Sequence, residues 1–176
     1  MKVKPLASIK TTSRVEEVKQ AIKRIKGAAV FVGIASGSGG DSRRDGGPAN
    51  HELGFIHEFG SPAANIPARP FLRPGVRKAA ANFTPKLKAA MKAALHGDGI
   101  AMERLLEQAG SIASSAVKME ISTGDFAPLK PATLRNRNRS RLTKSKRENE
   151  LSGENVRPLI NTGSLRNSID YYVKGK

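Results

Sequence analysis

The chain has 176 residues, with 31 lysines and arginines against 15 aspartates and glutamates, and no cysteine. The missing thiols exclude disulfides, thiolate zinc sites, iron–sulfur ligation and cysteine nucleophiles, and no apolar run approaches the ~20 residues of a membrane span. A formal net charge of +16 favours anionic partners, whether nucleic acid, an acidic protein surface or an anionic membrane.

Leu, Ile, Val and Phe make up only about a fifth of the chain, and the remaining apolar residues are mostly Ala. A folded domain with sizeable unpacked stretches is therefore expected. Residues 1–10 lack the apolar core of a signal peptide, which predicts a soluble chain made in the cytosol. The first element is a helix over Ser13–Lys26. Ser13 and Glu16 form a capping box, Val15, Val18, Ile22 and Ile25 share one face, and Gly27 is the stop. From Ala28 to Ala35, Val30, Val32 and Ile34 alternate with Phe31 and Gly33. That is strand periodicity with apolar groups on both faces, so the strand is expected inside a sheet.

Residues 36–48 hold five glycines and nothing to bury, which predicts a loop. Ala49–Phe59 reads as a short helix through Leu53, Phe55, Ile56 and Phe59. Gly60–Pro74 carries Pro62, Pro67, Pro70 and Pro74 and is expected to be a stiff, extended connection. Pro74 suits the first turn of a helix running to Leu95, with Thr84-Pro85 expected to kink or restart it. A second helix over 100–122 carries a wide Ala-rich apolar stripe and would span roughly 34 Å. Phe126–Pro158 sets nine basic residues against three acidic ones, and between Leu134 and Val156 only Leu142 and Leu151 are apolar. An exposed arm over 135–157 is expected, mobile until it meets a partner, as is the 36–47 loop. Asn161-Thr162-Gly163 predicts a turn, and Ile169, Tyr171 and Val173 predict a closing strand.

Candidate chemistry is sparse. His51-Glu52 and His57-Glu58 contain metal-ligand types, but a step of six residues from one histidine to the other puts them on opposite sides of a helix. The glycine-rich loop lacks the Gly-Lys-Ser/Thr of a phosphate cradle. No Gly-x-Ser-x-Gly elbow is present, and the carboxylates are too scattered to pair for sugar chemistry. No catalytic, cofactor or metal set is identifiable. Arg135, Arg137, Arg139, Arg141, Lys144, Lys146 and Arg147 could neutralise phosphate, but no aromatic lies among them to stack on bases. They fit non-specific contact with DNA or docking to an acidic protein equally well.

Three strings occur in a telling order. The first is His57-Glu58-Phe59-Gly60-Ser61 followed by Ile66-Pro67-Ala68-Arg69-Pro70-Phe71-Leu72-Arg73-Pro74. The second is Phe126-Ala127-Pro128-Leu129, and the third runs from Pro158-Leu159-Ile160-Asn161-Thr162-Gly163-Ser164-Leu165-Arg166 to Ser168-Ile169 and the last strand. Together they resemble the tail-completion, or virion-morphogenesis, proteins of tailed bacteriophages, over roughly residues 28–175. The resemblance implies a structural, non-enzymatic neck protein without a cofactor. It would be made in the host bacterial cytoplasm and built into the virion as a homo-oligomeric, hexameric ring that completes the tail and joins it to the head. Implied partners are other neck and tail-tube proteins and, non-specifically, packaged double-stranded DNA, but not membrane. Glu58, Phe59, Gly60, Pro67, Pro70, Phe71 and Pro74 would fix the connector, and Thr162, Gly163 and Leu165 the turn into the last strand.

The expected fold is α+β. A small, mostly antiparallel sheet holding 28–35 and 170–173 packs against two long helices, with extended arms. An N-terminal arm and helix (1–27) precede a tail-completion-like domain (28–176). A stand-alone basic protein that binds nucleic acid non-specifically is the alternative. A metal-dependent hydrolase using His51, His57 and Glu58 comes last.

Overall fold

The computed structural model describes residues 11–36, 47–141 and 157–175. In chain order these form α1 (Thr11–Gly27), β1 (Ala29–Gly33), α2 (Asn50–Phe59), a single 3-10 turn (Pro62–Ala64), α3 (Leu72–Lys78), α4 (Ala80–Leu95), α5 (Gly99–Thr123), α6 (Pro131–Arg141), α7 (Ser164–Asn167) and β2 (Asp170–Lys174). The chain is α+β, with β1 and β2 paired in a two-stranded antiparallel sheet. Among the described residues, no helix is long and apolar enough to cross a membrane. The chain divides into two compact units, and α5 and both strands contribute residues to each.

The first unit holds residues 11–31, 81–112 and 171–175. Its core is Ala90, Ala94, Met102, Leu106 and Val173, flanked by Ile25, Val30, Leu87 and Tyr171. Small residues allow the helices to lie close. Ala90, Ala94 and Ala109 are almost fully buried, and a Cβ on Gly110 would sit 2.3 Å from the Tyr171 ring. Gly97, at φ 79°, ends α4, with its N–H on the Ala94 carbonyl and the Asp98 N–H on that of Ala93. This is the Schellman arrangement, which satisfies carbonyls the helix leaves open. Asp98 then starts α5, its Oδ1 accepting the Ala101 N–H. In α1 the buried point is Ala21, while Val15, Val18 and Ile22 remain 43–53% exposed. The predicted apolar face exists, but the unit covers mainly its Ala21–Ile25 flank.

The second unit holds residues 32–36, 47–80, 113–141 and 157–170. Phe71, Val117, Ile121, Leu159, Leu165 and Ile169 form its core, with Val32, Ile34, Leu72, Val76 and Phe126 packed against them. Here α3 crosses α5 so closely that a Cβ on Gly75 would lie 2.8 Å from Val117 Cα. Beside the crossing, Lys78 Nζ donates to both oxygens of the nearly buried Glu120 carboxylate, at 2.8 and 2.7 Å. Burial of one partner makes this pair more robust than an exposed one.

Three expectations need correction. Among the described residues β1 has a single strand neighbour, so it is not a central strand. Val30 packs into the first core and Val32 into the second, while Phe31 between them is 55% exposed. The helix predicted from 74 to 95 breaks at Ala79 rather than at Thr84-Pro85. Pro85 sits within α4, where it has no N–H to give the Ala81 carbonyl, and the discontinuity falls at Ala79, upstream of it. The basic segment is helical over 131–141, starting at Pro131, whose missing N–H costs nothing in a first turn. Residues 37–46 and 142–156, most of the predicted loop and arm, lie outside the described residues.

The Gly75 crossing yields a direct test. Gly75→Ala pushes a methyl group into α5 backbone and should lower unfolding stability by ~1–3 kcal/mol in urea titrations. Gly99→Ala, with nothing within 4 Å of the new Cβ, should leave it unchanged or slightly raised.

Candidate functional site

The residues singled out by the three strings meet in the core of the second unit, and the first string closes on one buried carboxylate. Phe71 precedes α3 and offers no side-chain cap, so the first amides of that helix need an external acceptor. Glu58, on the last turn of α2 and 4% exposed, supplies it. Its Oε2 accepts the N–H groups of Phe71 and Leu72 at 2.8 and 2.9 Å. Its Oε1 accepts the Arg73 N–H at 3.2 Å and Arg73 Nε–H at 2.9 Å. Burial pushes the Glu58 carboxyl upward, but the Arg73 guanidinium and the three amides outweigh it and hold the group below the usual carboxylate range.

The chain between these partners is shaped to bring them together. Gly60 leaves α2 at φ 78°, and a Cβ there would lie 2.9 Å from the Ala68 nitrogen. Ser61 and Ile66 exchange two backbone hydrogen bonds at 2.9 Å, closing a short loop around Pro62–Ala64. The Arg69 N–H then reaches back to the His57 carbonyl. Pro67 and Pro70 are exposed and hold this return extended, while Pro74 sits in the first turn of α3.

Buried Arg69 ties in the second string. Its Nε and Nη2 donate to the carbonyls of Ala127 and Pro128 at 2.7 and 2.8 Å. Desolvation lowers the guanidinium from its ordinary value, though arginine stays charged. The third string arrives through Asn50, which exchanges hydrogen bonds with the Ser164 hydroxyl at 3.0 and 3.3 Å. Gly163 turns the chain at φ 80°, Thr162 Oγ1 accepts the Ser164 N–H, and Leu165 buries itself beside Phe71. The short helix α7 and the inward role of Arg69 had no signal in the sequence beyond membership of the strings, and Asn50 lies outside the strings altogether.

Beside this node lies an open cleft of about 320 Å³ lined by Ile34, Gly54, Phe55, Phe59, Leu72 and Arg73. Phe55 and Phe59 stack at 4.8 Å and are both exposed, and the Arg73 guanidinium lies 4.9 Å over the Phe59 ring. His51 also lines the cleft. Among the described residues, no three His, Asp or Glu side chains form a set that could hold a metal ion.

The basic candidates divide. Arg135 is exposed on α6. Arg137 is engaged within the chain, donating to the carbonyls of Arg157, Pro158 and Ile160 at 2.9–3.2 Å. Arg139 and Arg141 continue the helix, while Lys144, Lys146 and Arg147 lie outside the described residues. Comparison of the chain with protein families, with characterised proteins and with solved structures finds no match.

Glu58 gives a pH-dependent expectation. Its folded pKa lies below the unfolded value, so its contribution is complete above the unfolded carboxylate range near ~4.3 and is lost as pH falls through the lower folded value. Glu58→Gln should cost ~1.5–3 kcal/mol at pH 7. The gap between variant and wild type should close in acid, as read by urea unfolding at pH 7 and pH 3. A constant gap across that range would show that the charge is immaterial.

Proposed function

We propose that this chain is a structural virion protein of the phage neck, forming a ring that completes the tail and joins it to the head. The observation that carries this reading is the convergence of the three strings. Phe71 of the first string, Phe126 of the second and Leu159, Leu165 and Ile169 of the third pack in one core, and Arg69 joins the first string to the second, so the resemblance rests on a single packed body. The polar side chains of that body bind the chain's own backbone, as a building block requires. Large apolar side chains remain on the surface, including Phe55, Phe59 and Ile100, in keeping with surfaces covered on assembly. In this reading the outward basic residues clamp acidic neighbours in the neck.

Replacing Arg135, Arg139 and Arg141 with Ser, while leaving Arg137 in its internal contacts, should reduce joining of heads to tails and leave DNA packaging into heads intact. Particles that assemble normally but lose or eject DNA differently would assign those residues to DNA and overturn this role.

The net charge of +16 favours a second reading, a stand-alone basic protein holding nucleic acid through phosphate contacts. It predicts that the purified chain binds duplex DNA of any sequence, with affinity falling steeply as salt rises. The neck reading predicts weak binding by the free chain, so a salt titration of DNA binding separates the two.

A further inference from the structure

We propose that the cleft at Phe55, Phe59 and Arg73 receives the tip of the α4–α5 turn, Asp98 and Ile100, of a second copy of this chain. The inference rests on the ring reading above and names the contact that would build it.

The cleft is formed for an apolar side chain next to a carboxylate. Its walls are almost wholly carbon, from Ile34, Gly54, Phe55, Phe59 and Leu72. Phe55 is 66% and Phe59 55% exposed, so among the described residues much of both rings is left uncovered, Arg73 lying over one face of Phe59. At the rim, Arg73 is held by Glu58 through Nε alone. Its two terminal nitrogens carry no hydrogen-bond partner among the described residues. An aromatic pair beside an oriented arginine is the composition that dominates binding energy at protein interfaces.

The chain also carries the complementary shape. Ile100, at 78%, is the most exposed large apolar side chain among the described residues. It stands on the first turn of α5, where Gly97 and Asp98 fix the backbone by the Schellman bonds and the Asp98 cap. A rigid tip loses little freedom on docking. Asp98, exposed and two residues before Ile100, uses Oδ1 for its cap, and its Oδ2 has no hydrogen bond among the described residues. Cleft and tip thus match in both respects, apolar to apolar and Arg73 to Asp98. Because they are different surfaces, the contact is heterologous. Each copy offers a tip to one neighbour and a cleft to the other, the arrangement that closes into rings.

The test uses the full purified chain. Phe55→Ser damages the cleft and Ile100→Asp damages the tip, and both positions are exposed, so circular dichroism should be unchanged. Each variant alone should self-associate at least ~10-fold more weakly than wild type, in line with the loss of one buried apolar side chain. An equimolar mixture still contains one intact cleft and one intact tip. Native mass spectrometry should therefore show a mixed pair that neither variant forms alone. Wild type that stays monomeric, a variant that associates like wild type, or a mixture that yields no mixed pair would each overturn the contact. This readout needs no particles, so its failure is distinct from failure of the neck role. A chain that pairs in this way yet does not affect head–tail joining would sink the neck reading and leave the contact standing.

Discussion

The Glu58 carboxylate is the point on which the second unit depends. A buried carboxylate is costly unless donors surround it, and four do. By accepting the amides that open α3, it decides where that helix begins. The start of α3 sets Gly75 against Val117, and the Gly75 contact brings Lys78 to Glu120. Loss of the carboxylate would leave three amides without an acceptor at the end of a seven-residue helix, too short to persist on its own hydrogen bonds.

The excess of positive charge has two destinations. Arg69 and Arg137 point inward and act as multidentate clips on backbone carbonyls, joining segments roughly 60 and 20 residues apart in sequence. A planar guanidinium can bond two or three carbonyls in different directions, which suits it to loops that share no ladder. Most of the other described lysines and arginines are exposed. Arginine content alone therefore overstates what is available to a partner.

A similar division holds for apolar residues. The first core is built on Ala90 and Ala94 with Met102, Leu106 and Val173, the second on Phe71 and branched side chains, and Gly75 and Gly110 allow close approach in each, so a lean sequence still closes two small interiors. Several of the larger apolar groups, among them Phe55, Phe59, Ile100 and Tyr172, lie outside.

Most helices were legible from sequence because their signals are local. Val15–Ile25 periodicity, the stripe of α5 and the alternation in both strands each follow from geometry within one element. The short helix over 50–59 and the turn at Gly163 were likewise readable from residue order. What only the tertiary structure decided involves partners distant in sequence. Nothing near Glu58 or Arg69 says that one caps a helix thirteen residues on and the other binds carbonyls at 127 and 128. The same holds for Arg137, whose neighbours read as a free basic arm until the carbonyls of 157–160 are brought to it. The break at Ala79 rather than Pro85, and the burial of Ala21 rather than Val18, also depend on which surfaces meet. Local periodicity determines which residues form an element, whereas the packing of that element against distant segments determines which of its faces and charges remain for function.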